Sequence, residues 1–366
     1  MNKATAKELI PTRQRIDVGG YTFSLVTCGP QEGKPVVFLH GIPTSAELWR
    51  PMQFYFAQQG YRTFAPDLPG FGKTISPSPE KANWQDSLAL IQNWIQSDST
   101  LSDVWWIGHQ AGCLLAGLCA QRLNTLSARV TSICPLMEEG SLWPTWALGW
   151  MPRSIQWGLY HQLIRSRIFP NVIQRQHLGS KLADIKKLDI YLDRKVLFNE
   201  KVHDVARRHE FVHFIKNLPS GIEQSTQQTL RALACPVQVI IPALPAPSLL
   251  KKAALKWQQL RSKPAPKTNR KLQRMEPFIT DNIELITIKS GNLFSPLETP
   301  QLLAEAALIW ADPALQNAYA EAAQAKMKKP APKPVPQHEG IRINSSITLP
   351  PDGSPPEKSP LTASAK

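Results

Sequence analysis

The chain has 366 residues, room for one large domain or two ordinary ones, and its 42% apolar content suffices for a sizeable core. The formal net charge of +14 is concentrated: residues 251–275 carry nine Lys/Arg and no acid, and residues 326–366 carry seven Lys/Arg against three acids, so the remainder is near neutral. With no recognised nucleic-acid motif, no metal-ligand or CxxC spacing among the five cysteines and no apolar run of ~18 residues, the composition argues against a nucleic-acid binder, a metal centre, a disulfide scaffold and a membrane-spanning protein.

Residues 14–27 read as two strands, RQRIDV and YTFSLVT, joined at Gly19-Gly20, a hairpin signal. PVVFLHG (35–41) is a short apolar run ending in glycine, as expected of a strand buried on both faces in a parallel sheet. A helix is predicted around 46–59, a strand at RTFAPD (62–67), and a helix over 84–98, where Trp84, Leu88, Leu90, Ile91, Trp94 and Ile95 share a face. DVWWIG (103–108) reads as a strand, 111–123 as a helix rich in small residues, and VTSICPL (130–136) as the next strand. The alternation stops near residue 137. Residues 141–232 hold no convincing strand, are helical in pattern and contain Trp143, Trp146, Trp150 and Trp157. The rhythm resumes at PVQVIIPA (236–243) and IELITIKSG (283–291) and closes with an amphipathic helix at 300–311. The expected organisation is an α/β core in two parts, 1–140 and 233–325, separated by a helical insertion at 141–232. The second part carries the basic insert 251–275. The tail, 326–366, has nine prolines and no aromatic residue, a composition that stays disordered and favours extended polyproline II at its start.

Three strings carry the chemistry. His40-Gly41-Ile42-Pro43-Thr44-Ser45 is followed by Leu48-Trp49-Arg50; Pro66-Asp67-Leu68-Pro69-Gly70-Phe71-Gly72 comes next; Gly108-His109-Gln110-Ala111-Gly112 sits between a strand and a helix. The third has the G-x-S-x-G frame of a nucleophile elbow, in which both glycines permit a tight turn and a close strand–helix crossing. On these strings the chain resembles the α/β-hydrolase superfamily, most visibly the haloalkane dehalogenases and epoxide hydrolases, over roughly residues 14–140 and 233–312. The resemblance implies a mostly parallel sheet flanked by helices, with the 141–232 insertion as the cap that roofs the pocket.

The resemblance also implies a nucleophile, a histidine base and an acid, and the sequence departs from all three. Gln110 stands at the nucleophile position, and an amide nitrogen is neither basic nor nucleophilic. The base is expected in Ser290-Gly291-Asn292-Leu293-Phe294, where Asn292 stands in place of histidine. The loop 242–247, where an acid often lies, has none; Glu138 or Glu139 fits the alternative acid position to within a residue. The halide-binding asparagine and the tryptophan of dehalogenases are replaced by Ile42 and Ala111, which argues against dehalogenation. His40, Gly41, Ile42, Gln110 and Ala111 remain the candidate pocket and oxyanion-loop residues.

Other constellations are weaker. His40 and His109 are expected to hold loops by hydrogen bonds. His209 and His213 are spaced i, i+4 near His203, Asp204 and Glu210, but no third ligand completes a pattern, so a solvated polar helix is expected. Cys113 is expected to be a core thiol. No cofactor is implied. Three functions follow as expectations: a pseudoenzyme that binds a small apolar ligand or acts as a scaffold, an enzyme of lyase, isomerase or hydrolase type with a non-standard site, or a protein held on a partner or an anionic lipid surface by 251–275 and 326–366. The N-terminus lacks the apolar core of a secretory signal, so a cytoplasmic location, peripheral to membrane at most, is expected.

Overall fold

A computed structural model describes residues 5–42, 44–135, 205–219, 221–242, 282–288 and 295–317. Asn292, Glu138, Glu139, the loop 243–247, the basic insert, the Trp-rich stretch 143–157 and the tail lie outside the described residues.

The chain enters through β1 (Thr12–Val18) and β2 (Tyr21–Cys28), paired antiparallel with Val18 opposite Tyr21. Gly19 (φ +57°) and Gly20 (φ +82°) are both left-handed, which a two-residue turn of this twist requires. Then follow β3 (Pro35–Leu39), a 3-10 turn at Ala46–Trp49, α1 (Arg50–Gln58), β4 (Arg62–Pro66), α2 (Trp84–Ser97), β5 (Val104–His109), α3 (Ala111–Arg122) and β6 (Ser127–Ile133). Beyond the long intervening segment come α4 (Val205–Lys216), α5 (Ile222–Arg231), β7 (Val237–Pro242), β8 (Ile283–Ile288), a single turn α6 (Ser295–Glu298) and α7 (Pro300–Ala311).

The eight strands form one sheet in the order β1-β2-β4-β3-β5-β6-β7-β8. Strands β3 to β8 run parallel, and β2 is antiparallel to β4. This is the α/β-hydrolase fold. β3 and β5 are buried along their whole length, as their unbroken apolar runs require. Phe38, Trp49, Phe56 and Trp105 meet in tilted and edge-to-face contacts at 4.9–5.2 Å over one face. α2 starts at Asn83, whose side chain accepts from the Asp86 N–H at 2.9 Å and donates to the Asp86 carboxylate at 2.6 Å, a reciprocal cap. Arg129 on β6 lies against the rings of both Trp105 and Trp310, 5.5 and 5.9 Å from their centres, and donates to the Ala311 carbonyl at 2.7 Å, fastening α7 to the sheet.

One strand is displaced from its predicted place. β6 spans 127–133 rather than 130–136, because Cys134 turns the chain at φ +49°. α4 also differs from a solvated polar helix. It buries Glu210, Phe211, Val212 and Phe214 and leaves His209 exposed and His213 half-buried. Phe211 and Phe214 pack on Phe71 at 5.5 and 4.8 Å, so α4 covers the loop after β4. Among the described residues no three His, Cys, Asp or Glu side chains converge on a metal site, and no helix is long and apolar enough to cross a membrane.

Candidate functional site

Strand order reverses between β3 and β5: β4 lies outside β3, and β6 lies outside β5. In an open parallel sheet, the crevice beyond the carboxyl ends at such a reversal is where ligands bind. The His40 string leaves β3 at this point, and Gln110 leaves β5.

Gln110 has φ +50° and ψ −116°, a conformation that side-chain-bearing residues rarely adopt and that costs about 1–3 kcal/mol. The surroundings enforce it. The Gln110 N–H donates to the Ile133 carbonyl at 3.1 Å, and the Cys113 N–H donates to the Gln110 carbonyl at 3.0 Å. The flanking glycines are obligatory. A Cβ on Gly108 would lie 2.5 Å from the Gly112 oxygen, and one on Gly112 would lie 2.2 Å from the Leu39 oxygen. α3 is therefore pressed against the end of β3, and the elbow places its side chain at the carboxyl edge of the sheet. A Cβ on Gly41 would lie 3.0 Å from the Gln110 Cβ, so the two loops touch.

The Gln110 side chain is buried, 9% exposed, and its Oε1 has no hydrogen-bond partner among the described residues. The N–H groups of Ile42 and of Ala111, at the start of α3, likewise have no acceptor among the described residues. An amide side chain thus stands at the strained elbow position.

The loops are held by polar groups below. His40 is fully buried. Its Nε2 accepts from the Leu68 N–H at 3.1 Å, which leaves the proton on Nδ1 to donate to the Gly41 carbonyl at 2.8 Å. His109 is fully buried and meets the Trp49 ring edge-to-face at 6.0 Å. Asp67, also fully buried, accepts from the N–H groups of Ala46 and Lys73 at 2.8 Å each and from Arg13 at 2.5 Å. Arg13 also reaches Glu47 at 2.6 Å, and Glu47 pairs with Arg50. Burial opposes charge on Glu47, yet hydrogen bonds from Arg50 and Arg13 hold its carboxyl below the usual range.

The thiols near the elbow are not displaced nucleophiles. Burial pushes Cys113 far up, and its Sγ donates to the Ile133 carbonyl at 3.5 Å. Burial pushes Cys134 up to about 12; its Sγ lies 3.3 Å from the Ser295 hydroxyl on α6. Iodoacetamide treatment of native protein at about pH 8 is expected to leave Cys113, Cys119 and Cys134 unmodified, with all three labelled after denaturation; peptide mass spectrometry reads both.

Ile42 and Ala111 are buried at the positions expected for the pocket loops, 2% and 1% exposed. The Arg13–Asp67–Glu47 network and the Cys134–Ser295 contact are absent from the sequence reading. Asp67, the single acid in the apolar string after β4, was the available signal for the first, since a buried Asp needs a cation; nothing in the sequence pointed to the second.

Comparison with known proteins agrees with this geometry. The profile of the alpha/beta hydrolase fold family matches residues 34–159. A haloalkane dehalogenase of Mycolicibacterium paratuberculosis is 38% identical over 88 residues, 24% of this chain and 29% of that protein. Epoxide hydrolase 2 of Siraitia grosvenorii is 29% identical over 101 residues, 28% of this chain and 31% of that protein. The chain thus matches less than a third of the length of either relative. The crystal structure of haloalkane dehalogenase DbeA from Bradyrhizobium elkani superposes with a TM-score of 0.58 at 15% identity, covering 84% of this chain and 99% of that one. Sheet order and strained elbow give the chain the α/β-hydrolase fold, and its residues 34–159 match the model of that fold family.

Proposed function

We propose that this chain is a non-hydrolytic α/β-hydrolase-fold protein whose elbow crevice holds a small, largely apolar molecule without cleaving it. The observation that supports this most is Gln110 in the strained elbow conformation. Covalent hydrolysis needs an oxygen or sulfur nucleophile there, with a base in reach. The carboxamide lone pair is delocalised, so it can form neither an ester intermediate nor, in place of a base, an activated water. Asn292 at the expected base position acts in the same direction. The backbone donors of Ile42 and Ala111 and the buried amide are suited to holding a polar end of a ligand.

Purified protein is expected to hydrolyse aryl esters, epoxides and haloalkanes no faster than its Gln110→Ala variant. Turnover above that control would refute the reading.

A further inference from the structure

The hydrogen-bond inventory of the elbow constrains what the crevice takes. A buried side-chain oxygen with no partner is costly, on the order of 1–3 kcal/mol, so such an atom marks a place for a donor from outside the protein. Gln110 Oε1 is such an atom, on a side chain only 9% exposed. The same carboxamide carries Nε2 as a donor. The N–H groups of Ile42 and Ala111, on the two loops that meet at the elbow, have no acceptor among the described residues. The elbow thus carries one unpaired acceptor together with amide donors. A group with an N–H donor and a carbonyl acceptor side by side complements both.

We propose that the crevice recognises a small molecule bearing a cis-amide edge, that is, a primary carboxamide, a lactam or a cyclic urea, on an otherwise apolar body. Its N–H donates to Gln110 Oε1. Its carbonyl oxygen, with two lone pairs, accepts from Gln110 Nε2 and from the Ile42 or Ala111 N–H. This pairing reads the same whichever way the carboxamide is turned, since both partners carry one donor and one acceptor. An ester or ketone of the same shape leaves Oε1 unpaired. A carboxylate presents two acceptors and no donor and fails in the same way. The ligand class rests on the non-hydrolytic reading of the site, because an amide is stable there only if it is not cleaved.

The test uses the full-length protein with ε-caprolactam and ε-caprolactone, which match in ring size and differ in N–H against ring oxygen. Binding is followed by ligand-observed NMR and thermal shift, and solution products by mass spectrometry. The proposal expects lactam to bind about tenfold or more tightly than lactone, and Gln110→Leu, matched in volume, to erase that preference while unfolding cooperatively near the wild-type temperature. Equal affinity for the two rings, a preference that survives in Gln110→Leu, or no binding of either ring would overturn the ligand class and leave the non-hydrolytic reading standing. Ring-opened 6-hydroxyhexanoate or 6-aminohexanoate formed faster than with Gln110→Ala would instead overturn the non-hydrolytic reading itself.

Discussion

Replacing Asp67 with alanine is expected to destabilise the protein by about 3–5 kcal/mol and to lower its thermal midpoint by on the order of 10 °C. The carboxylate is fully buried and occupies both oxygens: Oδ1 accepts from the Ala46 N–H, and Oδ2 from Arg13 and the Lys73 N–H. Removal strands the Ala46 and Lys73 N–H donors and leaves Arg13 with Glu47 and the Ser24 hydroxyl. The effect reaches the site because the same residue ties the turn after the His40 string to the loop after β4. Gly72 packs directly against this carboxylate, so close that a Cβ there would lie 1.9 Å from the carboxyl. Asp67→Asn keeps one acceptor and is expected to lose less. A loss below about 1 kcal/mol for Asp67→Ala, the range of an exposed ion pair, would show that the network does not fasten these loops.

The second large effect concerns rate. Gln110→Ser alone is expected to remain at background with p-nitrophenyl acetate, because a neutral serine hydroxyl without a base is a weak nucleophile. Adding Asn292→His is expected to produce a burst of one p-nitrophenolate per chain, about 10²–10⁴-fold faster than the single variant. The reason lies in the backbone: φ +50° and ψ −116° at Gln110 already present a side chain at the sheet edge. Turnover after the burst is expected to be slow, since the loop 242–247 supplies no acid to orient the new histidine. A fast single variant would place an unrecognised base beside the elbow.

Much of the scaffold was legible because it follows from local pattern. The helix predicted at 300–311 has those bounds, since Leu303, Ala304, Ala307 and Leu308 form one apolar face between Pro300 and the end at Asp312. The Gly19-Gly20 hairpin and the fully apolar β3 and β5 were equally plain. The elbow was legible from Gly108 and Gly112, whose close approaches tolerate no side chain. The end of β6 was not, because the apolar string runs on through Leu136 while the backbone turns at Cys134. The buried face of α4 was hidden for a different reason. Its charged residues and histidines weaken the helical pattern, and its apolar residues find their partners in Phe71 and Trp84, more than a hundred residues earlier. The Arg13–Asp67 pair, 54 positions apart, was invisible on the same ground.

With Gln110 at the elbow, no group there is expected to attack a substrate. Acid-quenched single-turnover mass spectrometry reads this, with the wild-type chain mixed separately with p-nitrophenyl acetate and 1-iodobutane and the peptides spanning residues 40–50 and 104–122 analysed. Both peptides are expected to stay unmodified at every quench time. An acyl or alkyl adduct on either peptide, formed faster than in Gln110→Ala, would show that a nucleophile remains at the elbow.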